Sequence, residues 1–352
     1  MALELRMPTW IRPPTWMRGG AAHRERSWFW LEPRYPSVAF DLEPKSLAMV
    51  RVGRRKKERF LASFEVQEIP PGVIEIDFFK ARLSAPDRFQ GLLARMIEKD
   101  PVNFNRASLL LPDSYARVAI LPFEEMPRSR HDALDLVRWR TKKAVPFKVE
   151  DAAVDYAVLP GSGPGVNVLA VLTPRTIVQE IESAFEQAGV HAGLVDLSTF
   201  SLLNLYRSVF EAEVGGGSEF LVANVTGTFV TFVIFRGPQM VFFRCKPFGV
   251  VTGEDSGDAA RRLLKRELQT SLLYYREKLE GKGLSRAYLR VVDLDPEIVT
   301  AVFSSEPDVG SVRWIDPRKV VSLDGRMTGE HGERILQRLA PALGAAARRG
   351  AE

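Results

Sequence analysis

At 352 residues, 45% apolar and 26% charged, the chain can bury a large core and should form more than one lobe. Its net charge of +5 permits an acidic partner or a lipid surface without demanding nucleic acid, and no apolar run approaches the roughly 18 residues that cross a bilayer. One cysteine, Cys245, excludes an internal disulfide and points to a reducing, cytoplasmic address, and four widely separated histidines make no metal site.

Residues 1–35 differ from the rest. They carry Trp10, Trp16, Trp28 and Trp30 among prolines and arginines, with no helical or strand period. Arg6, Arg12 and Arg18 interrupt anything like a signal-peptide core. Two readings stand: a disordered tail, or an arm that docks on a partner or on the inner leaflet, where tryptophan and arginine suit an interface.

From Ser37 the pattern turns strand-like. SVAFDL, LAMVRV and RFLASFEV read as a three-strand meander. A helix is predicted over Pro86 to Lys99, with Phe89, Leu92, Leu93 and Met96 on one face. RASLLLP and RVAILPF follow as buried strands. Ser129-x-x-Asp132 has capping-box spacing and opens a helix that buries Ala133, Leu136, Val137 and Ala144 and stops at Pro146. Its solvent side carries the basic run Arg138, Arg140, Lys142 and Lys143, either a solvated face or a docking surface for an acidic partner or lipid headgroups. The strands AAVDYAVL and VNVLAVL form a hairpin around Gly161 to Gly165. That GSGPG loop lacks the Lys-Ser/Thr of a phosphate-binding loop. Thr173 and Pro174 then open a helix with a stripe of Ile177, Ile181, Ala184, Phe185 and Ala188, closed by Gly189.

Gly215 to Ser218 is a joint, after which FLVANV, FVTFVIF and MVFFRC repeat the meander. A long helix runs from about Asp258 to Glu280 with Leu264, Leu268, Leu272, Tyr275 and Leu279 on one face. The strand AYLRVVD, a helix near Pro296 to Phe303, the strand VRWID and a terminal helix broken at Pro341 complete the chain. Two meander-plus-helix halves imply an internal duplication.

Five segments, in order and in register, carry a resemblance: AVPFKVEDAAVDYAVL, EQAGVHAGLVDLSTFSLLNL, SLLYYREK, VRWIDP and LAPALGAAAR. Over roughly Pro36 to Arg349 the chain resembles the PilM family of actin-like type IV pilus assembly proteins, related to the cytoplasmic domain of GspL and to FtsA. The resemblance implies an α/β, actin-like ATPase fold of two ribonuclease-H-like lobes with an FtsA-type inserted subdomain. The implied layout is a disordered arm over 1–35 and a first-lobe core over 36–114 and 195–215. The inserted subdomain takes 115–194, the second lobe 216–328, and a helix over 329–352 returns to the first lobe.

An actin-type ATPase needs glycines where backbone approaches phosphate and an acid for magnesium-bound water. The first phosphate loop here reads Phe40-Asp41-Leu42-Glu43-Pro44: the aspartate stays, but Glu43 puts a negative charge where phosphate would lie. The second reads Asn224-Val225-Thr226-Gly227, its acid gone. Lys246-Pro247-Phe248-Gly249 replaces a glycine pair, and Arg290-Val291-Val292 a Ser-Gly-Gly turn. Asp41, Asn224, Thr226 and Gly227 are therefore expected to be remnants of nucleotide loops, with no catalytic residue, metal or cofactor. Asp41 has a plainer reading as a strand-end residue capping a turn.

The function implied is a cytoplasmic scaffold, peripheral at the inner membrane and membrane-associated only through partners. It would bind the N-terminal peptide of a PilN-type bitopic protein in a groove between the first lobe's core and the inserted subdomain. Pilus motor components are further candidate partners; nucleic acid is not expected. The alternatives are an active ATPase using ATP with magnesium, and a type II secretion GspL-like component. The latter would carry a transmembrane helix after this fold, and none appears before Glu352.

Overall fold

The computed structural model describes residues 35–56, 58–75, 82–145, 147–159, 165–214, 217–247, 256–323, 327 and 329–348. The tryptophan-bearing arm before Tyr35, Pro146, Gly161 to Pro164 of the hairpin loop, Gly215 and Phe248-Gly249 lie outside these residues. In the first lobe, β1 (Val38–Glu43), β2 (Ser46–Arg55) and β3 (Glu58–Glu68) form an antiparallel meander. A small hairpin of β4 (Ile74–Glu75) and β5 (Arg82–Leu83) leads to α1 (Pro86–Lys99), which buries Phe89, Leu92, Leu93 and Met96. Pro86 suits the start of α1 because its fixed φ is helical and its missing N–H would have no partner there. β6 (Arg106–Leu111) then lies parallel to β1.

β7 (Arg117–Phe123), α2 (Arg130–Thr141), β8 (Ala152–Val158) and β9 (Val166–Pro174) form a separate small unit with strand order β7-β9-β8, antiparallel throughout. Its core is Val137, Val149, Val168, Ala170 and Leu172. Several expectations change here. β7 is a half-exposed edge strand rather than a buried one, because only its β9 side is paired. Ser129 does cap α2, accepting from the Asp132 N–H at 3.4 Å, but the helix ends at Thr141, so Ala144 is exposed and Leu136 only half-buried. Thr173 caps nothing: it stays in β9, where its hydroxyl donates to the Tyr115 carbonyl at 2.6 Å, and Pro174 precedes α3 (Arg175–Gln187). The stripe Ile177, Ile181, Ala184 and Phe185 packs into the first lobe's core. The last strand of the inserted sheet, β9, ends at Pro174.

β10 (His191–Leu197) pairs parallel with β6 and runs straight into α4 (Ser198–Glu213). The second lobe repeats the plan with β11 (Glu219–Val225), β12 (Phe229–Arg236), β13 (Gln239–Pro247), α5 (Ser256–Leu279), β14 (Arg286–Val291), α6 (Pro296–Ser304) and β15 (Val312–Trp314), after which α7 (Gly329–Ala346) packs back on α4, β1 and β2 of the first lobe. The orders β3-β2-β1-β6-β10 and β13-β12-β11-β14-β15 are identical, with three antiparallel strands followed by two parallel ones. The duplication faint in sequence is plain in topology.

Side-chain alternation along β1 shows that its sheet is covered on both faces. Phe40 meets Phe185 of α3 edge-on at 4.9 Å, whereas its neighbour Asp41 turns the other way, to Ser198 of α4. α4 is buried along most of its length and packs on α7 between the two sheets. Their approach is so close that a Cβ on Gly344 would lie 2.1 Å from the Ser201 carbonyl oxygen. The terminal helix is not broken at Pro341: α7 runs through it. Proline removes the N–H that would serve the carbonyl four residues earlier, at Gln337. That carbonyl instead accepts from Arg290 Nε at 2.7 Å. A single arginine on β14 thus mends the defect in α7.

Candidate functional site

The C-terminal ends of the central parallel strands converge where α4 begins, the region in which α/β sheets ordinarily hold ligands. Arg290 fills the centre of this region. It is completely buried on β14 and paired in register with Asn224 on β11. Its Nη1 donates to Asn224 Oδ1 at 2.8 Å, and its Nη2 lies 2.6 Å from Glu43 Oε1 and 3.8 Å from Asp41 Oδ2. The Nη2–Glu43 approach is a charge contact lacking hydrogen-bond geometry. With Nε on the Gln337 carbonyl, the guanidinium joins both lobes and the terminal helix.

A second buried acid completes the network. Asp113, in the turn after β6, accepts from the Thr199 N–H at 3.1 Å, from the Thr199 hydroxyl, and from Thr231 of β12 at 2.7 Å. Asn224 Nδ2 donates to Thr199 Oγ1 at 3.0 Å, so the two clusters are continuous. Three carboxylates, Asp41, Glu43 and Asp113, thus face one guanidinium.

Burial raises both Asp41 and Asp113. Burial, then the charge of Glu43, push the Asp41 carboxyl up to about 8, against the pull of Arg290 and Ser198. Asp113 is also raised, by burial foremost, with its hydrogen bonds from Thr199 and Thr231 opposing. The Asp41 carboxyl is thereby shifted toward its protonated form, beside the close contact of Arg290 with Glu43. Ser198 Oγ donates to Asp41 Oδ1 at 2.5 Å and stands 3.2 Å from the Leu111 carbonyl. When Asp41 is protonated, that hydroxyl can turn to Leu111 and accept from Asp41.

A second clasp closes the rim. Arg338 of α7 binds Asp293, just past β14, and donates to Ser46 Oγ at 3.0 Å. Gly227 sits at the tip of the β11–β12 turn, where an added Cβ would lie 3.0 Å from Asp293 Cβ and 3.9 Å from Lys45 Nζ. The Gly227 turn therefore lies close against Asp293 and the end of the Lys45 side chain. An open cleft of about 1090 Å³ remains beside them, between the β14–α6 connection, β15 and α7. Its cations are engaged: Arg318 with Asp316 and Glu333, Lys319 with Glu213, Arg334 with Glu330, Arg338 with Asp293.

Of the residues singled out by sequence, Asp41 and Asn224 are brought together through Arg290. Thr226 is not part of the cluster. It holds its own hairpin, accepting from the Phe229 N–H at 3.0 Å and bonding the Phe229 carbonyl at 3.0 Å. Asp41 lies inside β1, opposite Ala48 and Leu110, rather than capping a strand end. Sequence reasoning missed Asp113, Ser198, Thr199 and Thr231, and saw Arg290 only as a departure from a glycine turn. One signal was available: an arginine inside an apolar, parallel-type strand requires a buried acid, and Asp41 and Glu43 were the acids without partners. Among the described residues, no group of three His, Cys, Asp or Glu could hold a metal ion. No helix there is long and apolar enough to cross a membrane.

Comparison with known proteins bears on this arrangement. The family model described as type IV pilus assembly protein PilM matches residues 40–256. Among solved structures, the chain is similar to a PilM-PilN type IV pilus biogenesis complex, with TM-score 0.75 and 19% identity over 91% of this chain and 100% of that one. A Bacteroides thetaiotaomicron protein of actin-like ATPase fold and unknown function gives TM-score 0.49 and 11% identity, covering 85% of this chain and 95% of that one. The cytoplasmic domain of EpsL, an inner-membrane component of the Vibrio cholerae type II secretion system, gives 0.44 and 9%, covering 89% and 95%. No curated protein sequence matches. The fold is the two-lobed actin-like one.

Proposed function

The chain belongs to the PilM family of type IV pilus assembly proteins, and from that premise we propose that it is a pseudo-ATPase scaffold of the inner-membrane assembly complex. The observation that carries this reading is Arg290. Its guanidinium, tied to Glu43, Asn224 and the Gln337 carbonyl, occupies the space between the lobes where a triphosphate would need glycine-lined backbone. The residues present do not fit ATP with magnesium. Asp41 is shifted toward its protonated form and turned to Ser198, Asn224 cannot serve as a base, and among the described residues no unpaired cation lines the adjoining cleft. An active ATPase would have to eject a buried, fully engaged arginine before seating phosphate.

A protein relieved of nucleotide chemistry still offers two rigid lobes and an inserted subdomain. The partner we assign is the cytoplasmic N-terminal segment of a PilN-type single-span protein, supported by likeness to the PilM-PilN complex. Held by that tail in the groove between the first lobe and the inserted subdomain, the protein would sit in the cytoplasm against the inner membrane. An extended peptide there would gain main-chain hydrogen bonds and pockets for alternate side chains.

Calorimetric titration of the full chain with magnesium-ATP is expected to show no saturable binding below about 1 mM, the weak end of specific affinities. Micromolar binding, or phosphate release abolished by Asp41→Ala, sinks the pseudo-ATPase reading. The partner assignment is tested separately, with the cytoplasmic tail of a co-encoded single-span protein as ligand, and fails if no complex forms at high micromolar concentration.

A further inference from the structure

The basic end of α2 takes no part in the contacts described above. The helix lies on its sheet through a narrow stripe of Ala133, Val137 and Thr141. Trp139 points away and is 69% exposed, the most of any large apolar side chain described. Around it Arg140, Lys142, Lys143 and Lys148 are all exposed. Among the described residues, Lys142 reaches only Glu150, at 3.7 Å, and Arg140, Lys143 and Lys148 have no carboxylate within ion-pair distance. The acids of the helix lie toward its start: Asp132, and Asp135, which is held by Arg138 at 2.9 Å. Charge is thus divided along α2, with the indole at the head of the cationic end.

We propose that this corner, Trp139 with Arg140, Lys142, Lys143 and Lys148, rests on an anionic lipid surface, with the indole at headgroup depth and the cations on lipid phosphates. Two observations favour a membrane over an acidic protein. First, the corner is a ridge of exposed side chains, and among the described residues neither of two sizeable clefts, one beside β14 and α7 and the other beside α4 and Arg318, is lined by α2. Peptide ligands take grooves or sheet edges, whereas a lipid plane asks for no concavity. Second, one apolar, amphipathic ring set among lysines and arginines is the pattern of an interfacial anchor. Nearby Glu150 and Asp151 temper the attraction. The contact therefore acts as a second foothold for a protein already held near the bilayer, where high effective concentration lets a weak contact count.

The test is co-sedimentation of the full chain with vesicles of phosphatidylglycerol and phosphatidylcholine, against pure phosphatidylcholine, at low salt. The wild type is expected to bind only the anionic vesicles. R140E/K143E should lower that affinity about tenfold or more, and W139A about three- to fivefold, with unfolding midpoints unchanged. R261E/K265E, the same charge change on exposed positions of α5, should bind as the wild type does. Failure of the wild type to bind overturns the proposal. So does equal loss in the α5 variant, which reports net charge alone. Undiminished binding by R140E/K143E also overturns it, assigning the lipid contact to the tryptophan-bearing N-terminal arm. Capture of a polyglutamate peptide, lost in R140E/K143E, without vesicle binding would replace the membrane with an acidic protein.

Discussion

The two sheets share one strand order, yet their central parallel strands differ in chemistry. β6 contributes Ser108, Leu109 and Leu110 to the first lobe. β14, its counterpart, carries Arg290 amid Leu289 and Val291. The acids Asp41, Glu43 and Asp113 all belong to the first lobe, and the base that answers them to the second. The alternation of apolar residues needed to cover a sheet has preserved the duplicated frame. The charges have diverged so that each half is incomplete, because a buried ion without its partner costs more than a missing apolar contact. The lobes are thereby bound by electrostatic necessity as well as by the apolar surface of α4.

The sharpest way to break this asymmetry is to remove the base. Arg290→Ala leaves Glu43 and Asp41 facing an uncharged hole and the Gln337 carbonyl without its donor. It should cost about 3–5 kcal/mol of stability, read from denaturant unfolding. Loss below about 1 kcal/mol would mean that the lobes are not held by this pair. Arg290→Lys should recover only part, since a lysine lacks the fork that meets Asn224 and Gln337 together.

A smaller effect is expected at the apolar side of the same junction. Gly344→Ala drives a methyl toward the Ser201 carbonyl and should cost about 1–3 kcal/mol by overpacking, measured likewise. The gentlest test concerns a slope. Asp41 is raised from 3.8 to about 8, so the folded state holds a proton that the unfolded chain releases. Its contribution favours the fold below about pH 4 and is lost as pH rises toward 8. Asp196, raised to about 7 by burial, pulls the same way. Asp41→Asn, isosteric and able to donate to Ser198, should flatten that decline by up to about 1.4 kcal/mol per pH unit. An unchanged stability-versus-pH curve would show that Asp41 is ionised in the fold.

Much of the frame could be read from the chain. α1 runs over the expected Pro86–Lys99 with the expected buried face, and α5 buries Leu264, Leu268, Leu272 and Tyr275 as its period requires. These elements obey local rules of stripe and cap. The errors fell where distant residues decide. Pro341 predicts a break only if the Gln337 carbonyl stays unserved, and its donor lies 47 residues away. Thr173 has the chemistry of a cap, but Tyr115 offers its hydroxyl a better acceptor. Asp41 and Asn224 were legible through the motif they depart from. Asp113 and Thr231 belong to no motif, and only the folded chain sets them together.

The mended proline has one more implication. In α7 a ring that would ordinarily kink a helix persists because an arginine on another lobe caps the carbonyl it left bare. Each oddity excuses the other, so neither reverts alone at low cost. Exchanging Arg290 for glycine to build a phosphate turn would strand a main-chain acceptor and two acids in the same stroke. Building a phosphate pocket here would take coordinated changes on β1, β14 and α7, which makes the present arrangement behave as a ratchet.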